Sequence, residues 1–131
     1  MIGLDTNIVV RYLVQDDPTQ SSKATELIER RLSADEPGFI SVIVVVETVW
    51  VLERAYGLAN LDIASAIERM LQIDVFVVDH EQEVFTALSA FKAGRGSFAD
   101  ALIGTLAARA GCSDTFTFDR KASRLSGFEL L

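Results

Sequence analysis

The amino-acid sequence predicts an α/β fold in which short parallel strands alternate with helices along a chain of 131 residues. Two observations carry that expectation. Brief runs suited to strands (Met1–Leu4, Phe39–Ser41, Val75–Val78 and Thr115–Phe118) are separated by longer segments whose apolar residues recur at helical spacing. Strands alternating with helices in this way imply a parallel sheet covered on both faces. Composition agrees: 50% of residues are hydrophobic and 24% charged, which fits one globular domain over residues 1–131 and excludes disorder.

Each element has its own reason. Met1–Leu4 reads as a buried strand with Asp5 at its end, and a helix over Asn7–Val14 stops near Asp16-Asp17-Pro18. Ala24, Leu27, Ile28 and Leu32 are spaced for a helix over Thr19–Leu32, and Pro37-Gly38 turns the chain into the strand Phe39–Ser41. The valines between 42 and 51 favour strand by propensity. Val42–Tyr56 is nevertheless far longer than an ordinary strand, and Gly57 suits a helix C-terminus, so the segment is predicted as a buried helix.

The second half follows the same alternation. Ile63, Ile67, Met70 and Leu71 form one stripe of a helix over Asp62–Leu71. After the strand Val75–Val78, Asp79-His80-Glu81-Gln82 resembles a capping box opening a helix through Phe91, with Val84, Leu88 and Phe91 inward. Gly94-Arg95-Gly96 is a loop, Ser97 caps a helix to Ala110, and Thr115–Phe118 and Phe128–Leu131 are strands, the last at an edge. No internal repeat, low-complexity tract or linker interrupts the chain.

The formal charge of −7, from 12 basic and 19 acidic residues, gives no bulk attraction to nucleic acid or anionic membranes. A nucleic-acid site would need cations gathered locally. Lys92 and Arg95 before Asp100, and Arg120, Lys121 and Arg124 after Asp119, fit that need, although solvated helix ends produce the same pattern. Cys112 stands alone, which excludes an internal disulfide and fits a reducing cytoplasm. A catalytic pair of Cys112 with His80 is disfavoured, because packing after Gly111 and a helix start beside Asp79 explain the two residues more simply. No signal peptide precedes Asp5, and the run Phe39–Leu52 is too short, and too interrupted by Glu47, to span a bilayer. A cytoplasmic protein without a membrane segment is expected.

Four carboxylates draw attention to chemistry. Asp5 and Asp119 follow strands, and open α/β sheets form their sites beyond the carboxyl ends of strands. Capping is the plainer explanation of Asp5, Asp100 and Asp119 taken singly. Glu47 lies inside the apolar run Val42–Leu52 and is expected to be buried, where an unpaired carboxylate would be costly. It therefore needs a cation, a donor or a proton, and an ion pair with Arg11 is the plain alternative to a functional role.

Carboxylates that converge raise one another's pKa values, and a bound Mg²⁺ or Mn²⁺ offsets that repulsion. Such an ion acidifies water and stabilises charge on a phosphoryl oxygen, so an acidic pocket without a nucleophilic Ser, Cys or His suggests metal-assisted phosphodiester hydrolysis. Competing motifs are weaker. Gly94-Arg95-Gly96-Ser97-Phe98-Ala99 matches a loose dinucleotide fingerprint but follows a helix, and no Gly-Lys phosphate loop or Gly-x-Ser-x-Gly elbow is present. No Cys/His set could hold zinc. An acyl-phosphate enzyme with Asp5 as nucleophile stays open, although Asn7 stands where the haloacid-dehalogenase type of phosphatase has its second acid.

Four blocks appear in order: Leu4-Asp5-Thr6-Asn7, Glu47-Thr48-Val49-Trp50-Val51-Leu52, Phe98-Ala99-Asp100-Ala101 and Thr117-Phe118-Asp119. Together they resemble the PIN-domain ribonucleases, most closely the VapC toxins of type II toxin–antitoxin pairs, over essentially the whole chain. The resemblance implies a three-layer α/β/α sandwich with a central parallel sheet and a Mg²⁺- or Mn²⁺-dependent endoribonuclease site. Asp5, Glu47 and Asp100 fall on the family's core acids and Asp119 on its more variable fourth. Thr6 and Asn7 take the polar positions beside the first acid, and Thr117 the hydroxyl position near the fourth. The likeness also implies an RNA substrate, a cognate antitoxin that blocks the site, and a homodimer. Arg11, Arg95, Arg120, Lys121 and Arg124 are the candidates for touching RNA, and Trp50, Leu52 or Tyr56 for an apolar antitoxin groove. Many relatives have Asp-x-x-Phe after the last acid, where Ala122 stands here. A PIN-like module that binds RNA or protein without cleaving remains the alternative.

Overall fold

Strand pairing is parallel throughout. In the computed structural model, which describes all residues from Met1 to Leu131, β1 (Ile2–Gly3), β2 (Gly38–Ile40) and β3 (Phe76–Val78) form a sheet in the order β1-β2-β3. A second sheet pairs β4 (Thr115–Thr117) with β5 (Phe128–Leu130). The first sheet lies in a unit of residues Met1–Asp79 and the second in a unit of residues His80–Leu131.

In the first unit the chain leaves β1 for α1 (Thr6–Val14), α2 (Pro18–Glu26) and a π-helical turn (Leu27–Arg31) before reaching β2. The predicted helix over residues 19–32 is thus present but loosens its winding at the end, where Leu32 N donates to Leu27 O at 2.9 Å. Gly38 lets β2 pass between apolar side chains: a Cβ there would come within 2.8 Å of Leu32 Cδ1 and 2.9 Å of Leu4 Cδ1. Helix α4 (Asn60–Leu71) buries Ile63, Ile67 and Met70 on the expected stripe.

Helix α3 (Val42–Arg54) forms against the strand propensity of its valines, and Ser41 caps it by accepting from Val44 N. Its buried face is Val44, Val45, Thr48, Val49 and Leu52. Glu47 does not share that face. It is exposed, with Ile43 (66% exposed) and Trp50 (59%) one turn to either side of it. The expectation of a buried Glu47 is therefore corrected: a helix of 3.6 residues per turn can bury only one stripe of an all-round apolar segment, and position 47 falls outside it.

In the second unit α5 (Glu81–Lys92) packs on α6 (Phe98–Arg109). Phe91 and Phe98, on either side of the Gly94–Gly96 loop, meet edge to face with centroids 6.3 Å apart. Ser97 caps α6 as expected, accepting from Asp100 N at 3.1 Å. At α5 the N-cap is His80, in the left-handed region at φ 52°, so the helix begins one residue later than a cap at Asp79 would set it. A 3-10 turn, Ala122–Arg124, joins β4 to β5. Gly104 in α6 lies under the ring of Phe128, which a Cβ would strike.

Two stability measurements follow from this packing. Thr48 is fully buried and its hydroxyl has no partner, so Thr48→Val should raise stability by about 1 kcal/mol in urea denaturation; a loss instead would show that the hydroxyl is satisfied. Gly104→Ala improves helix propensity by about 1 kcal/mol, yet should lower stability because overpacking against Phe128 costs about 1–3 kcal/mol. Adding Phe128→Leu should recover the loss.

Candidate active site

Leu4 is buried and donates from its N–H to Phe39 O at 2.9 Å, which anchors the end of β1 and delivers Asp5 to the start of α1. Asp5 Oδ1 accepts from Thr6 N at 2.8 Å, capping the helix. The next side chain spans to the middle of α3: Thr6 Oγ1 donates to Glu47 Oε1 at 3.2 Å. Asp5, Thr6, Asn7 and Glu47 thereby share one open cleft of about 660 Å³, continued by Arg11 and Tyr56.

Glu47 does not pair with Arg11. That guanidinium is committed to other acceptors, with Nη1 3.1 Å from Asp16 Oδ1 and 2.9 Å from Tyr56 Oη, and Nε 2.8 Å from Gln20 Oε1. The ion-pair alternative for Glu47 is thus replaced by a single hydroxyl donor plus solvent. Tyr56 Oη donates to Asp16 Oδ2 at 2.8 Å. This bond, more than any other interaction, holds the Asp16 carboxyl below its ordinary pKa; desolvation opposes it and Arg11 adds to it. The Tyr56 phenol is pushed up, first by desolvation and then by its bond to Asp16. Sequence reasoning missed Asp16 and Tyr56 as members of this cleft; Arg11 and Tyr56 lie 45 positions apart, and no local spacing joins them.

The other two acids belong to the second unit. Asp100 is half-buried in the first turn of α6, its N–H held by Ser97. Asp119 is exposed; its Oδ1 accepts from Lys121 N at 2.8 Å and Ala122 N at 3.4 Å, and its own N–H donates to Thr117 Oγ1 at 3.0 Å. Thr117 therefore fixes the backbone of the residue it was expected to accompany. Within neither unit do three or more His, Cys, Asp or Glu side chains gather closely enough to hold a metal ion. Asp5 and Asp119 do act as caps, but each carboxylate keeps lone pairs that its backbone bonds do not use.

Among the basic candidates, Arg95, Lys121 and Arg124 line one small cavity, while Arg120 is exposed and is not among its lining residues. Of the residues expected in an apolar groove, Leu52 is core. Trp50 is open to solvent with the Arg54 guanidinium 5.9 Å above its ring, and Tyr56 is half-buried.

The cleft predicts a pH signature. The folded Asp16 pKa lies below its unfolded value, so its contribution is complete above the ordinary carboxylate range and is lost as pH falls through the folded value. Tyr56→Phe should reduce stability at neutral pH, and its difference from wild type should shrink toward zero in acid. A difference independent of pH, measured by denaturation at several pH values, would assign Tyr56 to packing alone.

Residues 2–127 match the family model described as PIN domain. The chain is also similar to a protein named VapC ribonuclease from Aquifex aeolicus (strain VF5), with 25% identity over 126 residues, covering 96% of this chain and 92% of that protein. No helix is long and apolar enough to cross a membrane. With the family match running through both units and the α/β elements in the expected order, this chain belongs to the PIN domain family.

Proposed function

We propose that the protein is a Mg²⁺- or Mn²⁺-dependent endoribonuclease, the toxin of a toxin–antitoxin pair, with Asp5, Glu47, Asp100 and Asp119 as its metal-binding acids. The observation that carries this reading is the bond from Thr6 to Glu47, which joins the first acid's helix to the second acid in an open cleft. The donor set fits a hard divalent ion. Asp5 and Glu47 offer carboxylate oxygens to one cleft, and neither is neutralised by an arginine or lysine. The family match spans both units, which supports counting Asp100 and Asp119 with them in one functional domain of residues 1–131.

The ion supplies Lewis-acid stabilisation of charge on a phosphoryl oxygen and acidifies water. The chain's own groups do the positioning. Thr6 holds Glu47 through Oε1, and the Thr6 N–H steadies Asp5 through Oδ1, so both carboxylates would be oriented to hold the ion. Asn7 lines the same cleft with an amide able to donate to a phosphate oxygen. Attack of water on the phosphodiester leaves a 5′-phosphate and a 3′-hydroxyl. The likeness to a VapC ribonuclease supports RNA as substrate; a cognate antitoxin, a homodimer and a cytoplasmic setting are what the family resemblance implies. Ile43 and Trp50, exposed on the face of α3 that carries Glu47, are suited to cover by a partner protein.

A binding-only PIN module is the second reading, favoured by the caps that Asp5 and Asp119 already form. An acyl-phosphate enzyme using Asp5 is the third, and trapping with beryllofluoride would reveal it. Cleavage of RNA with and without EDTA separates the three. Asp5→Asn keeps an acceptor for Thr6 N, so it should fold as wild type while losing at least about 100-fold in cleavage rate, more than outer-shell changes cost. Thr6→Val should weaken Mg²⁺ affinity by about 10–100-fold, read as a higher ion concentration for half-maximal rate. Undiminished cleavage in EDTA, or by Asp5→Asn, would remove the metal reading.

A further inference from the structure

The second unit contains a cationic cavity in the segment that follows Asp119. Arg95 comes from the loop between α5 and α6, and Lys121 and Arg124 from the turn after Asp119; with Gly94 and Gly96 they line a space of about 300 Å³. None of the three basic side chains is hydrogen-bonded or ion-paired. Asp119, the acid two residues before Lys121, is engaged by backbone N–H groups.

Glycine at 94 and 96 builds the cavity. Gly94 turns in the left-handed region at φ 74°, and a Cβ there would point into open space. Gly96 rests on the segment that follows the basic turn, where a Cβ would come within 2.9 Å of Leu125 Cδ1. This close approach brings Arg95 to Lys121 and Arg124. Charge distribution favours the same place: the second unit holds six basic and six acidic residues, so the net −7 of the chain resides in the first, with its six basic and thirteen acidic residues.

Three exposed cations lining one concavity offer several N–H donors to an anion with several acceptor oxygens. We infer that this cavity is a phosphate subsite that takes one backbone phosphate of single-stranded RNA. The choice of RNA over free phosphate rests on the proposed nuclease reading; the phosphate chemistry does not.

The test uses the full chain in EDTA and a short fluorescent 2′-O-methyl RNA that cannot be cut, read by anisotropy across a salt series. Arg95→Gln/Arg124→Gln and Lys121→Gln should each weaken binding, the double variant by about tenfold or more, and lower the salt slope by about 0.7 for each phosphate no longer neutralised. Arg30→Gln/Arg31→Gln, altering exposed cations of the first unit, should change neither. Inorganic phosphate should compete with RNA on the wild type. Unaltered affinity and slope in the cavity variants would overturn the subsite, and wild-type cleavage in Mg²⁺ would still uphold the nuclease. Loss of phosphate binding without loss of RNA binding would assign the cavity to free phosphate and overturn the inference. Loss of RNA binding in variants of a wild type that never cleaves would uphold the subsite and remove the nuclease.

Discussion

The rotation of α3 about its own axis is the constraint on which the first unit depends. Val44, Val45, Thr48, Val49 and Leu52 face inward, and that choice turns Glu47 outward to the hydroxyl of Thr6. A rotation of one residue, about 100° in an α-helix, would bury the carboxylate and break its link to α1. The helix thus does two jobs with one degree of freedom: core packing fixes the angle, and the angle brings Glu47 to the Thr6 hydroxyl. Ile43 and Trp50 remain exposed as the cost of an apolar sequence too rich for a single stripe.

The acids of this chain combine local structure with availability. Asp5 closes the first turn of α1 and Asp119 the turn before β5, each through one oxygen. A carboxylate fixed in this way loses little further freedom when it takes a second ligand, so its capping bond preorganises it. The Arg11–Asp16–Tyr56 cluster acts differently. It removes the nearest cation from the acids and leaves the cleft negative between its two ends.

Much of this organisation is legible in the amino-acid order. The helical state of Val42–Arg54 follows from its length and from Gly57, despite valines that prefer strands, and the stripe Ile63, Ile67 and Met70 is the one buried. What cannot be read is direction within an apolar segment: with valine or isoleucine at every position from 42 to 46, periodicity does not distinguish the inner face from the outer, and the exposure of Glu47 has no local signal. The partner of Arg11 is equally hidden, because Tyr56 reaches it only through the packing of α1 on α3. The left-handed His80 has no local cue, since neither glycine nor asparagine marks that position. For the candidate site, the four sequence blocks carry the proposed acids, whereas the hydroxyl bridge from Thr6 to Glu47 is visible only in three dimensions.

The uneven placement of charge has a consequence in handling the protein. At the isoelectric point near pH 4.6 the chain as a whole is neutral, yet its amino-terminal part is still anionic and its carboxyl-terminal part cationic. Oppositely charged units of different molecules then attract one another rather than merely ceasing to repel. Precipitates formed in mild acid should redissolve on adding moderate sodium chloride, because counterions screen such patchy attraction.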